Sequence, residues 1–375
     1  MPKKLNILQL INVRWYNACA HYAVSLSCAL KRRGHKVIVA GDPHSPPVLK
    51  ARELDLSTYE DLYLSYTSPW KIAYNVRRLV DLVEMEKIDV INAHRGEGHL
   101  VAGLARKLMK KKVTLVRTRG DARTPKPSFF NSWLTNRWTD KIITTCQTIK
   151  ESYIENLKVP QDRVINIPVG IDHEFFSPGT DNRFWKKKLS IPDGSLVTGT
   201  VGRLSPVKGH KDFIRAAEYV LNKIPNVIFI VCGEDAQISL GELKEMVSKM
   251  GREQNFRFWG KVRDIREIIS LFDVGVVSSV GSETICRVPL EYMSMCKPVV
   301  GTRINAIPEV IEQGVNGFLV EPGDVLKMAE AITELLENEQ KRRDFAEASR
   351  RIVVEKFTLD GFAQRTEEVY LSLLN

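Results

Sequence analysis

Arg203 and Lys208 stand five residues apart in the run TVGRLSPVKGH (200–210). The run reads as the close of a strand, a tight path through Gly202, Pro206 and Gly209, and the opening of a helix near His210. A diphosphate held without a metal needs fixed positive charge. Two cationic side chains beside the N–H groups of a helix start would supply it. The same two residues also suit an ordinary surface loop, and their types alone leave both readings open.

A second constellation lies in SETICRVPLEYMSMCKPVV (282–300), directly after the strand-like VGVVSS. Glu283 is expected at a helix start beyond a strand end, where a carboxylate serves either as a capping charge or as a ligand. Glu291, eight residues on, sits in the apolar stretch VPLEYM, where an unpaired carboxylate is costly. Such a buried group can accept hydrogen bonds from two adjacent ribose hydroxyls. Arg287, between them, is either a third cation for phosphates or a charged sugar, or one half of a surface ion pair.

These residues need a scaffold, and the rest of the chain describes one. Twelve short β-rich runs recur through the 375 residues, from LNILQLI (5–11) to GFLVEP (317–322), with amphipathic helical patterns between most of them. Continuous Val/Ile runs of this kind belong to parallel strands covered by helices on both faces. The expected class is α/β, with two doubly wound domains rather than one overloaded sheet. Residues 1–170 form the first, 171–195 read as a Pro- and Gly-containing linker, and 196–356 form the second. A terminal helix is expected over about 357–375, returning to the first domain so that the domains are discontinuous.

Charge is placed unevenly. Residues 1–170 hold 28 Lys+Arg against 15 Asp+Glu, whereas 171–375 hold 27 against 30. The first half therefore faces something anionic: a phosphate-bearing lipid, a membrane surface or nucleic acid. No apolar run approaches the roughly 18 residues of a membrane span. Residues 5–13 (LNILQLINV) are too short and too polar for a signal peptide and no small-residue cleavage site follows, so a cytoplasmic protein is expected. The six cysteines lack C-x-x-C spacing and read as reduced thiols. No H-E-x-x-H or D-x-D occurs, so no metal site is expected.

The motif G-R-x-S-x-x-K-G followed by E-x7-E resembles the signature of retaining GT-B glycosyltransferases of family 4. Three further runs are similar to the family's in the same order: SLSCALKRRGHKVIV (25–39), IPVGIDHEFFSP (167–178) and TRINAIPEVIEQGVNGFLVEPGD (302–324). The resemblance implies two Rossmann-like domains facing across a cleft, with a nucleotide-sugar donor on the second. It implies sugar transfer with retention and without a metal or other cofactor. Gly202, Arg203 and Lys208 would meet the donor phosphates, Glu291 the ribose, and Glu283 the donor sugar. Asn17–Ala18 and Asn305–Ala306 stand where the family often has Gly pairs, the first near the donor phosphates. Thr284–Ile285–Cys286 replace its usual G-F-G, which alters the surroundings of the sugar.

By the same resemblance the first half is the acceptor side. Arg117, Arg119, Asp121 and Arg123 cluster in VRTRGDARTPK (116–126), beyond a strand end. Three arginines could hold an anionic acceptor, with Asp121 orienting an arginine or the acceptor hydroxyl. His94, at the end of DVINAH, matches a common family histidine, with a structural role equally open; Glu97 is a weaker candidate. The implied partners are a nucleotide diphosphate sugar and an anionic glycan or lipid-linked acceptor. An anionic membrane surface is a further candidate. Assembly of lipopolysaccharide core or another surface glycan is the expected setting. A GT-B nucleotide-sugar epimerase or phosphorylase is the alternative within the fold. A nucleic-acid binder is disfavoured, since RNP-type aromatics, zinc fingers and helix-turn-helix signals are missing despite a pI near 9.2.

Overall fold

The computed structural model describes residues 3–374 except Thr67, Ala122 and Thr124. Asn375, the last residue of the expected terminal helix, lies outside the described residues. The described chain divides into two compact units. One runs through Gly170 and takes the chain back from Leu359; the other is Ile171–Thr358.

The first unit is built on seven parallel strands: β1 (Asn6–Leu10), β2 (Lys36–Ala40), β3 (Ser57–Tyr59), β4 (Val90–Ala93), β5 (Thr114–Arg119), β6 (Lys141–Thr144) and β7 (Val164–Asn166). Their order is β3-β2-β1-β4-β5-β6-β7. Successive side chains enter opposite cores, as strand geometry requires. Ile38 and Ala40 join Leu8, Leu10, Ile91 and Leu115 on one face, while Val39 meets Ala23 and Val24 of the helix Ala18–Arg32 on the other. Each such fully buried aliphatic side chain contributes about 1.5–3 kcal/mol relative to exposure.

The second unit has six parallel strands: β8 (Val197–Val201), β9 (Ile228–Cys232), β10 (Phe256–Trp259), β11 (Val274–Val277), β12 (Val299–Thr302) and β13 (Gly317–Val320). They lie in the order β10-β9-β8-β11-β12-β13. The helix His210–Lys223 buries Phe213, Ala217 and Val220 in the core shared with Phe229, Val231, Met328 and Ile332. In both sheets the order reverses at one place, between β1 and β4 and between β8 and β11. Ligands of open α/β sheets sit beyond the strand ends at such reversals.

Two features differ from expectation. The three-residue strand β3 adds a thirteenth strand. Residues 171–195, read as a linker, belong to the second unit. Trp185 is buried there and donates its indole N–H to Glu267 at 2.6 Å, and Ile171 N–H bonds the Phe357 carbonyl at 2.8 Å. The terminal helix, Leu359–Ser372, lies in the first unit where it was expected, with Phe362 edge-on to Tyr22 and ring centres 4.7 Å apart. No helix among the described residues is long and apolar enough to cross a membrane.

Candidate functional site

In the second unit, the loops leaving β8 and β11 are stitched together at the sheet reversal. After β8 the chain makes a single 3-10 turn, Pro206–Lys208, then Gly209, then the helix from His210. Gly209 has φ +66°, and a Cβ there would lie 1.8 Å from the Ser278 carbonyl oxygen. Only glycine permits both the left-handed backbone and the approach. Ser278 Oγ donates to the Lys208 carbonyl at 3.0 Å, and Val280 N–H to the Val207 carbonyl at 2.9 Å.

This stitching brings Lys208 onto Glu283. The Lys208 ammonium bonds Glu283 Oε2, and Ser279 Oγ donates to the same oxygen at 2.9 Å. The carboxylate side chain is 5% exposed and the lysine 27%, so the pair sits at the floor of a recess with the cation toward its mouth. Arg203 lies on the exposed side of the same loop, and its guanidinium has no hydrogen-bond or ion-pair partner among the described residues. Gly202 N–H bonds the Cys232 carbonyl, which fixes the loop's departure from the sheet.

Glu283 is not at a helix start. The helix following β11 begins at Arg287, and Glu283 lies in the preceding loop. Asn305 and Ala306 hold that loop by its backbone. Asn305 accepts the Glu283 N–H at 3.0 Å with its side chain, and Ala306 N–H donates to the Glu283 carbonyl at 3.1 Å. Asn305 adopts φ +43°, so this replacement for a glycine keeps the left-handed backbone.

Glu291, one turn into the helix Arg287–Ser294, is buried. Arg287 Nε donates to its Oε1 at 2.8 Å, while its Oε2 is buried with no partner among the described residues. Burial pushes its pKa up, against the lowering charge of Arg287. Arg287 is thus first an ion-pair partner of Glu291. Two more buried polar atoms near this loop lack partners: Ser205 Oγ and His210 Nδ1. His210 lines the recess with Lys208 and Glu283, and its Nε2 bonds the Arg203 carbonyl at 3.2 Å. Nothing in its local pattern singles it out beyond its place at a helix start.

In the first unit the other singled-out residues gather beyond β1, β4 and β5. Asn17 caps the helix Ala18–Arg32 by accepting the Ala20 N–H at 3.1 Å. Its φ is −113°, so no left-handed residue is needed there; Ala18 is the first helical residue. His94 is buried, bonds Gln9 Oε1 at 2.7 Å, and has its pKa pushed down to about 3 by burial and by Arg117. It is neutral at ordinary pH. Arg117 is 2% exposed and donates to the Ala93 carbonyl at 2.8 Å. Arg119 donates to the Arg123 carbonyl at 2.5 Å.

Asp121 is committed to arginines. Arg123 Nε lies 3.1 and 3.0 Å from its two oxygens, and Arg95 NH1 bonds Oδ2 at 3.1 Å. Partial burial alone would raise its pKa, but the bonds from Arg123 and the charge of Arg119 hold it well below the ordinary carboxylate range. Arg95 was not legible as a site residue. It is local in sequence to Glu97 and His94, yet its partner is 26 residues away.

Residues 181–352 match the family described as glycosyl transferases group 1, and residues 20–175 match glycosyltransferase family 4. The N-acetyl-alpha-D-glucosaminyl L-malate synthase of Bacillus anthracis is 23% identical over 92% of this chain and 91% of its own. An Escherichia coli UDP-Gal:alpha-D-GlcNAc-diphosphoundecaprenol alpha-1,3-galactosyltransferase is 24% identical over 79% of this chain and 78% of its own. Among solved structures, Anabaena HepE in complex with UDP superposes with a TM-score of 0.85 at 22% identity, covering 98% of this chain and 100% of that one.

Proposed function

The chain belongs to the group 1 glycosyl transferases of family 4, with the GT-B fold, and from that premise we propose a retaining, metal-independent sugar transfer from a nucleoside diphosphate donor to an anionic glycan or lipid-linked acceptor. The observation that carries the donor side is the buried Glu291 with one oxygen left unpartnered, one helix turn past the loop on which Glu283 binds Lys208. A ribose diol supplies the hydroxyl donors that this oxygen lacks. The UDP bound by the Anabaena neighbour is in keeping with such a donor.

In this mechanism the bond from the anomeric carbon to the β-phosphate oxygen breaks, and its electron pair goes to the phosphate. The acceptor oxygen forms the new bond on the same face, and its proton passes to the departing phosphate oxygen. Arg203 and Lys208 balance the growing phosphate charge. Interactions that strengthen as charge develops lower the barrier, whereas those already complete in the ground state do not. Lys208 is already shared with Glu283, so the unpartnered Arg203 has the larger change available. Glu283, fixed at both its backbone and its carboxylate, is the group disposed toward the donor sugar.

The names of the two relatives support an acceptor that carries charge: malate in one, a lipid-linked diphosphate in the other. The arginines at and just past the end of β5 suit either. The basic first half favours work at the inner face of the cytoplasmic membrane, in assembly of lipopolysaccharide core or another surface glycan.

The test is a thermal-shift panel of nucleoside diphosphates, UDP first, followed by nucleotide-sugar turnover with EDTA present. Stabilisation by one diphosphate, EDTA-resistant turnover and an unchanged anomeric configuration in the product are expected. No stabilisation by any diphosphate, or loss of turnover with EDTA, would overturn the proposal. Product formation without any acceptor would turn it into an epimerase.

A further inference from the structure

Arg95 and Arg119 each bury an Nε–H that finds no acceptor among the described residues. Arg95 directly precedes the helix Gly96–Arg106, and Arg119 is the last residue of β5. Each guanidinium spends one terminal nitrogen within the protein: Arg95 on Asp121, Arg119 on the Arg123 carbonyl. A buried charged donor without a partner is expensive, costing at least about 1–3 kcal/mol. Both stand at the carboxyl ends of adjacent strands, Arg95 just past β4 and Arg119 closing β5, beside the reversal of the first sheet.

The groups around them leave a surplus of positive charge. Cys19, in the first turn of the helix Ala18–Arg32, donates its thiol to the Gly120 carbonyl, next to Arg119 and Asp121 in the chain, at 3.4 Å, and it feels the charges of Arg95, Arg117, Arg119 and Asp121. Arg123 is bound to Asp121 and also feels Glu97. Four arginines therefore face two carboxylates. Arg117 is a brace, its NH1 turned to the Ala93 carbonyl. Arg95 and Arg119 are the two with N–H groups to offer.

We propose that Arg95 and Arg119 form an anion subsite in the first unit that takes the phosphate or carboxylate of the acceptor. This rests on the transferase reading above and names the chemistry of its second substrate. Asp121 holds Arg95 and Arg123 and is not available to work on an acceptor hydroxyl. A phosphate monoester, with its two negative charges and several acceptor oxygens, matches two guanidinium forks and their surplus charge. The second unit carries cations of its own for the donor, so the subsite is assigned to the other partner. The competing source of the same chemistry is the donor diphosphate.

Equilibrium dialysis of the full chain against radiolabelled inorganic phosphate, with and without saturating UDP, separates these. Phosphate is expected to bind in the presence of UDP. Arg95→Gln and Arg119→Gln should each weaken it about tenfold or more, the equivalent of about 1.4 kcal/mol, with UDP affinity unchanged. Arg95→Lys, which keeps the charge and loses the fork, should retain part of the binding and guards against a folding artefact. Phosphate binding that is undetectable in the wild type, or equal in the wild type and both Gln variants, overturns the subsite. So does UDP that displaces phosphate and binds more weakly to the same variants, since the anion is then the donor's. A wild-type chain that binds phosphate through these arginines but no nucleoside diphosphate supports the subsite and sinks the transferase reading.

Discussion

Lys208 and Glu283, 75 residues apart in the chain, form an ion pair on the sheet reversal of the second unit, with Ser279 on the same carboxylate oxygen. The pair sets the position of a cation that would otherwise be a mobile lysine at a loop surface. It also means that neither charge can be removed without exposing the other.

Lys208→Ala should lower kcat for nucleotide-sugar turnover about 10²–10³-fold, the size of one preorganised charge-stabilising group. Lys208→Met with Glu283→Gln should fold as well as the wild type and be as slow as the single variant. Steady-state rates with thermal melts check both. A Lys208→Ala enzyme at wild-type speed rules out the assigned role.

Arg287 covers one oxygen of the buried Glu291 and is itself 41% exposed. Arg287→Met should destabilise by about 1–3 kcal/mol, less than a fully buried pair because water reaches the arginine. Adding Glu291→Gln should restore part of the loss while nucleoside diphosphate affinity falls. Urea titration and calorimetry give the two readouts. Equal loss in the single and double variants argues that the carboxylate is not the source.

Gly209→Ala places a methyl group against the Ser278 carbonyl and forces a left-handed alanine. A loss of about 2–4 kcal/mol is expected. Turnover should fall further than stability explains, because Lys208 precedes the strained position. Activity normalised to folded fraction distinguishes the effects; a proportional fall means the loop does not position Lys208.

His210 is pushed down to about 4 chiefly by burial, against an ordinary value near 6.5. The unfolded chain takes up a proton at His210 as pH falls through 6.5, whereas the folded chain does so only near 4. Stability is therefore full above 6.5, declines between 6.5 and 4, and levels off below. The contribution is about 3 kcal/mol. His210→Gln should flatten this part of the pH–stability curve, measured by urea midpoints. A variant as pH-sensitive as the wild type there means the histidine is hydrated.

The strands with Val/Ile runs were legible because buried parallel strands need apolar residues on both faces. β3 was not, since Ser57–Tyr59 is short and lies at an edge with no such run. Glu283 looked like a cap because an acid preceded a helical pattern. The structure starts that helix four residues later and fixes Glu283 through Asn305, a partner no local spacing reveals. Lys208 and Glu291 were readable from charge placed in unusual surroundings. Arg95 was not, because its significance is an unpaired buried N–H, which exists only once β4 and β5 lie side by side.

The helix from Leu359 locks onto the first unit through Glu367, which binds Arg33 at 2.6 Å and His35 at 3.0 Å, and through Tyr370, which accepts a bond from Asn92 at 2.8 Å. On the ribosome the half that emerges first is thus the half finished last. The later unit has all its residues once Thr358 is made, while the earlier sheet must wait with Asn92 and His35 uncovered. Its apolar surface is open to misassembly throughout that delay, so translation pauses and chaperone supply should affect the yield of this half first.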